Sequence, residues 1–77
     1  MRETPAIDKI VKVTGIPEHR VYETLRTVRQ FERYAEDEAN ESATYDAGFA
    51  AGMRDSLKIG GGINNWDISQ AIKELTS

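Results

Sequence analysis

From Glu18 to Ala47 the chain contains neither glycine nor proline, and its two prolines, Pro5 and Pro17, both precede that stretch. These are the residues that most readily end or break a helix, so their absence constrains the fold more than any other feature. Within the stretch Val21, Leu25, Val28, Phe31 and Ala35 recur every three or four residues. That period predicts a long helix with one inner stripe packed against a partner helix. No segment alternates apolar and polar residues with period two, so no strand is predicted. A helix unbroken from 17 to 58 would be about 63 Å long at 1.5 Å per residue, beyond any core a chain this short can make. A break is therefore expected in the cluster Asn40, Ser42 and Thr44. The expected architecture is all-α, with helices near 5–14, 17–40, 43–58 and 67–75. The middle two are either separate or fused into one rod.

The ends of the other helices have their own signals. Thr4 is a good N-cap and Pro5 fits the first helical position, where an amide hydrogen has no partner. Ile7, Ile10 and Val11 then follow at helical spacing, and Gly15 supplies a left-handed stop after Thr14. Pro17 is expected to open the second helix. Gly60–Gly61–Gly62 reads as a flexible connector over 60–65. It lacks the Lys-Ser/Thr that follows a phosphate-cradling loop. Asp67 to Gln70 is expected to form a capping box, with Trp66 as an apolar staple against Ala71. Ile68, Ala71, Ile72 and Leu75 complete a short amphipathic last helix. The whole chain is expected to be one small domain.

Such a domain has a supply problem. Only 39% of the 77 residues are apolar, and eight of those are alanine. A chain of this length buries about 60% of its unfolded surface and usually needs a disulfide, a metal or a second subunit. There is no cysteine and only one histidine, His19, so neither a disulfide nor a His-rich metal site is expected. A homo-oligomer remains. Tyr45, Phe49, Met53 and Leu57 form a large apolar stripe, with Gly48 and Gly52 at the same spacing beside it. Two such glycines permit close backbone approach, either to the preceding helix or to another copy. The expected oligomer contact comprises Val28, Phe31, Ala35, Tyr45, Gly48, Phe49, Gly52 and Met53.

Residues 7–26 resemble a helix-turn-helix of the bacterial repressor type, close in wording to the turn of LacI-like and MerR-like DNA-binding regions. The matching residues are Ile10, Thr14 before the turn, Gly15 in it, Ile16 as its buried residue, then Val21 and Leu25. Val11 stands where a small alanine is usual, and the third helix of such a domain has to come from the C-terminal half. The resemblance implies a second helix that enters the major groove, with outward residues Glu18, His19, Arg20, Tyr22, Glu23 and Arg26. Arg20 and Arg26 would specify bases, while Lys9, Lys12, Arg29 and Arg33 would hold phosphates.

The charge distribution leaves a second class open. Residues 1–33 carry a balance of +2 and residues 34–77 one of −5, within a net charge of −3. Glu18 and Glu23 offset Arg20 and Arg26, and a globally acidic chain is a poor general polyanion binder. The alternative is a small acidic interaction protein of the kind seen among phage inhibitors of host proteins. Glu36, Asp37, Glu38 and Glu41 would then face a basic partner. No serine has a base beside it in sequence, and the paired carboxylates have no apolar enclosure, so no catalytic residue and no cofactor are expected. The longest apolar runs are too short to span a membrane and no signal peptide is present, so a cytoplasmic location is expected.

Overall fold

The computed structural model describes residues 3–37 and 42–76. Four helices follow one another: α1 (Pro5–Thr14), α2 (Glu18–Asp37), α3 (Ser42–Ser56) and α4 (Asn65–Thr76), with a single 3₁₀ turn at Ile59–Gly61. There is no strand among the described residues, so the protein is all-α. The two middle helices are separate.

The turn between α1 and α2 is built locally. Gly15 has φ 74°, a left-handed conformation that a Cβ disfavours, and its amide donates to the Val11 carbonyl at 2.9 Å. The Thr14 hydroxyl donates to the Ile10 carbonyl at 2.6 Å and accepts from the Ile16 amide at 3.2 Å, bridging the turn. Pro17 stands one position earlier than expected: its carbonyl accepts from Arg20 and Val21, and the helix proper begins at Glu18.

The core lies where the start of α2, the end of α3 and both short helices meet. Ile7 and Ile10 from α1, Val21 and Leu25 from α2, and Ile68 and Ala71 from α4 are wholly buried, with Leu57 and Ile63 closing the cluster. The third helix beside α1 and α2 is thus α4, from the C-terminal half. Leu57 shares this cluster with the first turns of α2, so α3 runs antiparallel to α2. Farther along the hairpin Val28 and Ala50 are also buried.

The face that α3 turns inward differs from expectation. Ala43, Asp46, Ala50, Met53 and Leu57 occupy the seam, whereas Tyr45 and Phe49 stand at its outer edge. The seam is large where it meets Val21 and Leu25, at Leu57, and small at Ala43, Asp46 and Ala50, farther along the hairpin. The large rings are displaced to the flank. Gly48 and Gly52 are exposed, and a Cβ at either would meet nothing within 4 Å, so they mediate no close approach to α2.

Two caps also differ. The Thr4 hydroxyl does not cap α1 and lies instead 3.4 Å from the Asp8 carboxylate. The Glu74 carboxylate of α4 accepts from the Ala6 amide at 2.8 Å and the Ile7 amide at 3.1 Å, satisfying the first turn of α1 from the far end of the chain. At α4 the reciprocal cap lies three residues earlier than expected. The Asp67 amide donates to Asn64 Oδ1 at 3.0 Å, and the Asn64 amide donates to Asp67 Oδ2 at 3.1 Å. Trp66 then falls on the outer side of the helix, 67% exposed, and staples nothing. In the glycine connector Gly60 and Gly61 take φ of 84° and 77°, left-handed values that favour glycine.

Among the described residues two ion pairs join one helix to another. Arg54 of α3 grips both oxygens of Glu32 on α2, its shortest approach 2.9 Å, and reaches Ser69 of α4 at 3.4 Å. Lys9 of α1 meets the buried Asp67 of α4 at 3.0 Å.

Candidate nucleic-acid interface

The outward side of α2 carries the site. Tyr22, Arg26, Arg29 and Arg33 repeat at intervals of four, three and four residues, which keeps them on one face of a 3.6-residue helix. With Gln30, Tyr34 and Leu75 from the last turn of α4, they line an open groove of about 540 Å³. Arg26, Arg29 and Arg33 are exposed, and none forms an ion pair with another described residue. The Gln30 side chain donates to the Tyr34 hydroxyl at 2.7 Å, which fixes the far end of the groove. Three unpaired guanidinium groups between two tyrosine rings suit a polyanion carrying stackable or hydrogen-bonding groups.

The expected site residues divide into groups. Tyr22, Arg26, Arg29 and Arg33 come together in this groove. His19 and Glu18 are exposed at the N-terminal end of α2, and Lys12 is exposed on α1. Arg20 lies elsewhere, beside Thr14, Pro17, Thr24 and Ile59 in a second depression. Six residues separate it from Arg26, which rotates it about 120° around the helix. Lys9 is engaged by Asp67 rather than free to meet a phosphate. Positive charge is therefore concentrated in the middle of α2, past Glu18 and Glu23. Gln30, Tyr34 and Leu75 were not among the expected site residues. The four-residue repeat Tyr22, Arg26, Gln30 and Tyr34 was the signal for two of them.

The expected oligomer residues divide too. Val28 is wholly buried within the single chain and has no surface to offer another copy. Phe31, Ala35 and Met53 are half-buried. Tyr45, Gly48, Phe49 and Gly52 are exposed. Of the acidic residues, Glu36 is exposed on α2 and Asp37 ends that helix, whereas Glu38 and Glu41 lie outside the described residues.

Asp67 is held below the ordinary carboxylate value, chiefly by the Asn64 amide and then by the Lys9 ammonium, while burial opposes them. Its surroundings make it a structural cap rather than a reactive acid. Among the described residues no cluster of three metal-ligating side chains occurs, and no helix is long and apolar enough to cross a membrane.

No family model, curated protein or solved structure matches this chain.

Proposed function

We propose that the chain is a small DNA-binding regulator that acts as a dimer and lays the outward face of α2 against the double helix. One observation carries this reading. The helix after a tight, glycine-based turn presents Arg26, Arg29 and Arg33, unpaired with any described residue, in a groove edged by Tyr22 and Tyr34. Arginine forks match phosphate oxygens and the guanine edge, and a single α-helix fits the major groove. Arg26, nearest the turn, takes the base-reading role with His19 and Tyr22. Arg29, Arg33 and Lys12 take phosphates. Because the arginines sit in the middle of α2, the helix docks along its length rather than tip first.

Fluorescence anisotropy with a pool of labelled duplexes at rising salt tests this. Three phosphate contacts per copy, from Arg29, Arg33 and Lys12, make six per dimer and give a slope of log K against log salt of about −5. Arg29→Ala should flatten that slope by roughly one for each phosphate it no longer neutralises, whereas Arg26→Ala should weaken a selected site by about 1–3 kcal/mol. Arg20→Ala, on the other flank, should change affinity less than Arg26→Ala. Absence of binding at the lowest salt would overturn the proposal. Capture of a protein that survives nuclease would then favour the acidic-inhibitor reading.

A further inference from the structure

The groove on α2 has two unlike ends joined by a cationic floor. At the end nearer the turn, Tyr22 and Leu75 are half-buried and both pack against the core cluster, which supports them from behind. A flat ring and an aliphatic side chain leave that end apolar. Beyond them come Arg26, Arg29 and Arg33, exposed and without an ion-pair partner among the described residues. Among the described residues no carboxylate lines the groove. Glu23 and Glu36 are exposed on α2 outside its lining, and Glu32, next to Arg33 in the chain, is taken up by Arg54 of α3. At the other end the Tyr34 hydroxyl accepts from Gln30 at 2.7 Å, which leaves its own hydrogen to donate.

Size, order and charge select the occupant. At 1.5 Å per residue Tyr22 and Arg33 stand about 16 Å apart along α2, comparable with the length of an extended nucleoside triphosphate. The groove volume of about 540 Å³ falls within the roughly 300–1,000 Å³ of small-ligand sites. Such a nucleotide carries its flat ring at one end and all its charge at the other. The groove sets Tyr22 and Leu75 first and the three arginines after them, in the same order. Guanidinium forks meet phosphate oxygens in pairs and keep their charge at any working pH. An anion without a ring would use the arginines and leave the apolar end empty, and an uncharged ring would do the reverse.

We infer that the groove is a nucleoside triphosphate site. The base lies against Tyr22 and Leu75, the phosphates run along Arg26, Arg29 and Arg33, and the terminal phosphate accepts from the Tyr34 hydroxyl. Nucleotide binding needs no duplex, so the inference goes beyond the DNA reading. Both ligands draw on the same guanidinium groups, and bound nucleotide therefore excludes a duplex from α2.

Isothermal titration calorimetry at low salt with ATP, AMP and inorganic tripolyphosphate tests it. ATP should bind at least about tenfold more tightly than either of the others, because it alone fills both ends. Arg29→Ala should weaken ATP about tenfold. Tyr34→Phe should weaken ATP and leave AMP unchanged. Tyr22→Leu keeps an apolar side chain on the core and should erase the advantage of ATP over tripolyphosphate. Arg29 and Tyr34 are exposed, so their variants should give the parent's far-UV circular dichroism. Tripolyphosphate binding as tightly as ATP, or ATP binding indifferent to Arg29→Ala and Tyr34→Phe, would overturn the inference. A labelled duplex separates the two readings. A duplex that binds and is not displaced by ATP would sink the nucleotide site and leave the DNA reading, whereas ATP binding without any duplex binding would do the opposite.

Discussion

Replacing Glu74 by alanine should unfasten the first helix from the last. The carboxylate accepts from the Ala6 and Ile7 amides at 2.8 and 3.1 Å, in a half-buried position. Removing a helix cap costs about 1–2 kcal/mol, and a hydrogen bond to a charged group contributes about 1.5–3 kcal/mol. Partial exposure discounts the upper figures, so a loss of about 2 kcal/mol is expected. Unfolding entropy of about 2.1 cal/mol/K per residue gives about 0.16 kcal/mol/K for 77 residues, which converts the loss to a Tm drop of about 12 °C. Glu74→Gln retains one acceptor oxygen and should lose about half as much. Thr4→Ala is the control, because the Thr4 hydroxyl makes no cap hydrogen bond, and it should shift stability by less than about 0.5 kcal/mol. Thermal melts followed by far-UV circular dichroism decide the matter. A Thr4→Ala protein melting below the Glu74→Ala protein would refute the reasoning.

Two further outcomes follow from the α4 cap. Asp67 has a folded-state pKa lowered from the ordinary 3.8, so its contribution to stability is complete above that value and is lost as pH falls through the folded pKa. Urea titrations between about pH 6 and about pH 3 should show an acid limb that Asp67→Asn makes shallower, and coincident limbs would count against the assignment. Trp66, the sole tryptophan, is 67% exposed. Its fluorescence should be water-like and nearly as accessible to acrylamide in the folded protein as in urea, and a shielded, blue-shifted emission would place it elsewhere.

The helices and the turn were readable because their signals are local. Gly15 at the end of one apolar repeat and the glycine- and proline-free run from Glu18 do not depend on what packs where. The facing of α3 was not readable. Its sequence offers a stripe of large residues, Tyr45, Phe49, Met53 and Leu57, and a stripe of small ones, Ala43, Asp46 and Ala50 with Leu57. Side-chain size favours the first. Leu57 belongs to both stripes and packs with Val21 and Leu25, and the packing of the rest of α3 on α2 took the second, a choice made by the partner helix. The same applies to the caps. Thr4 has the right chemistry in the right place, yet Glu74 takes the amides, and a partner about seventy positions away leaves no local trace. Of the candidate site, the arginines of α2 were legible by type. Their separation into Arg26, Arg29 and Arg33 on one side and Arg20 on the other needs only the helical angle. The pairing of Lys9 with Asp67 needed the fold.

The reach of Glu74 across the molecule also sets an order of events. The α2–α3 hairpin closes a short connection and can form while synthesis is under way. The Glu74 contact to α1 closes a loop of nearly the whole chain, the slowest class of contact for a small domain to make. Until α4 has been made, Ile7 and Ile10 lack the Ile68 and Ala71 side of their cluster, and the first turn of α1 lacks the Glu74 acceptor. The docking of α1 on α4 is therefore completed last, although the residues of α1 precede the hairpin. A fragment ending before α4 would keep the arginines of α2 and lose Leu75, the groove's wall from α4, so the binding face and that wall arrive at different times.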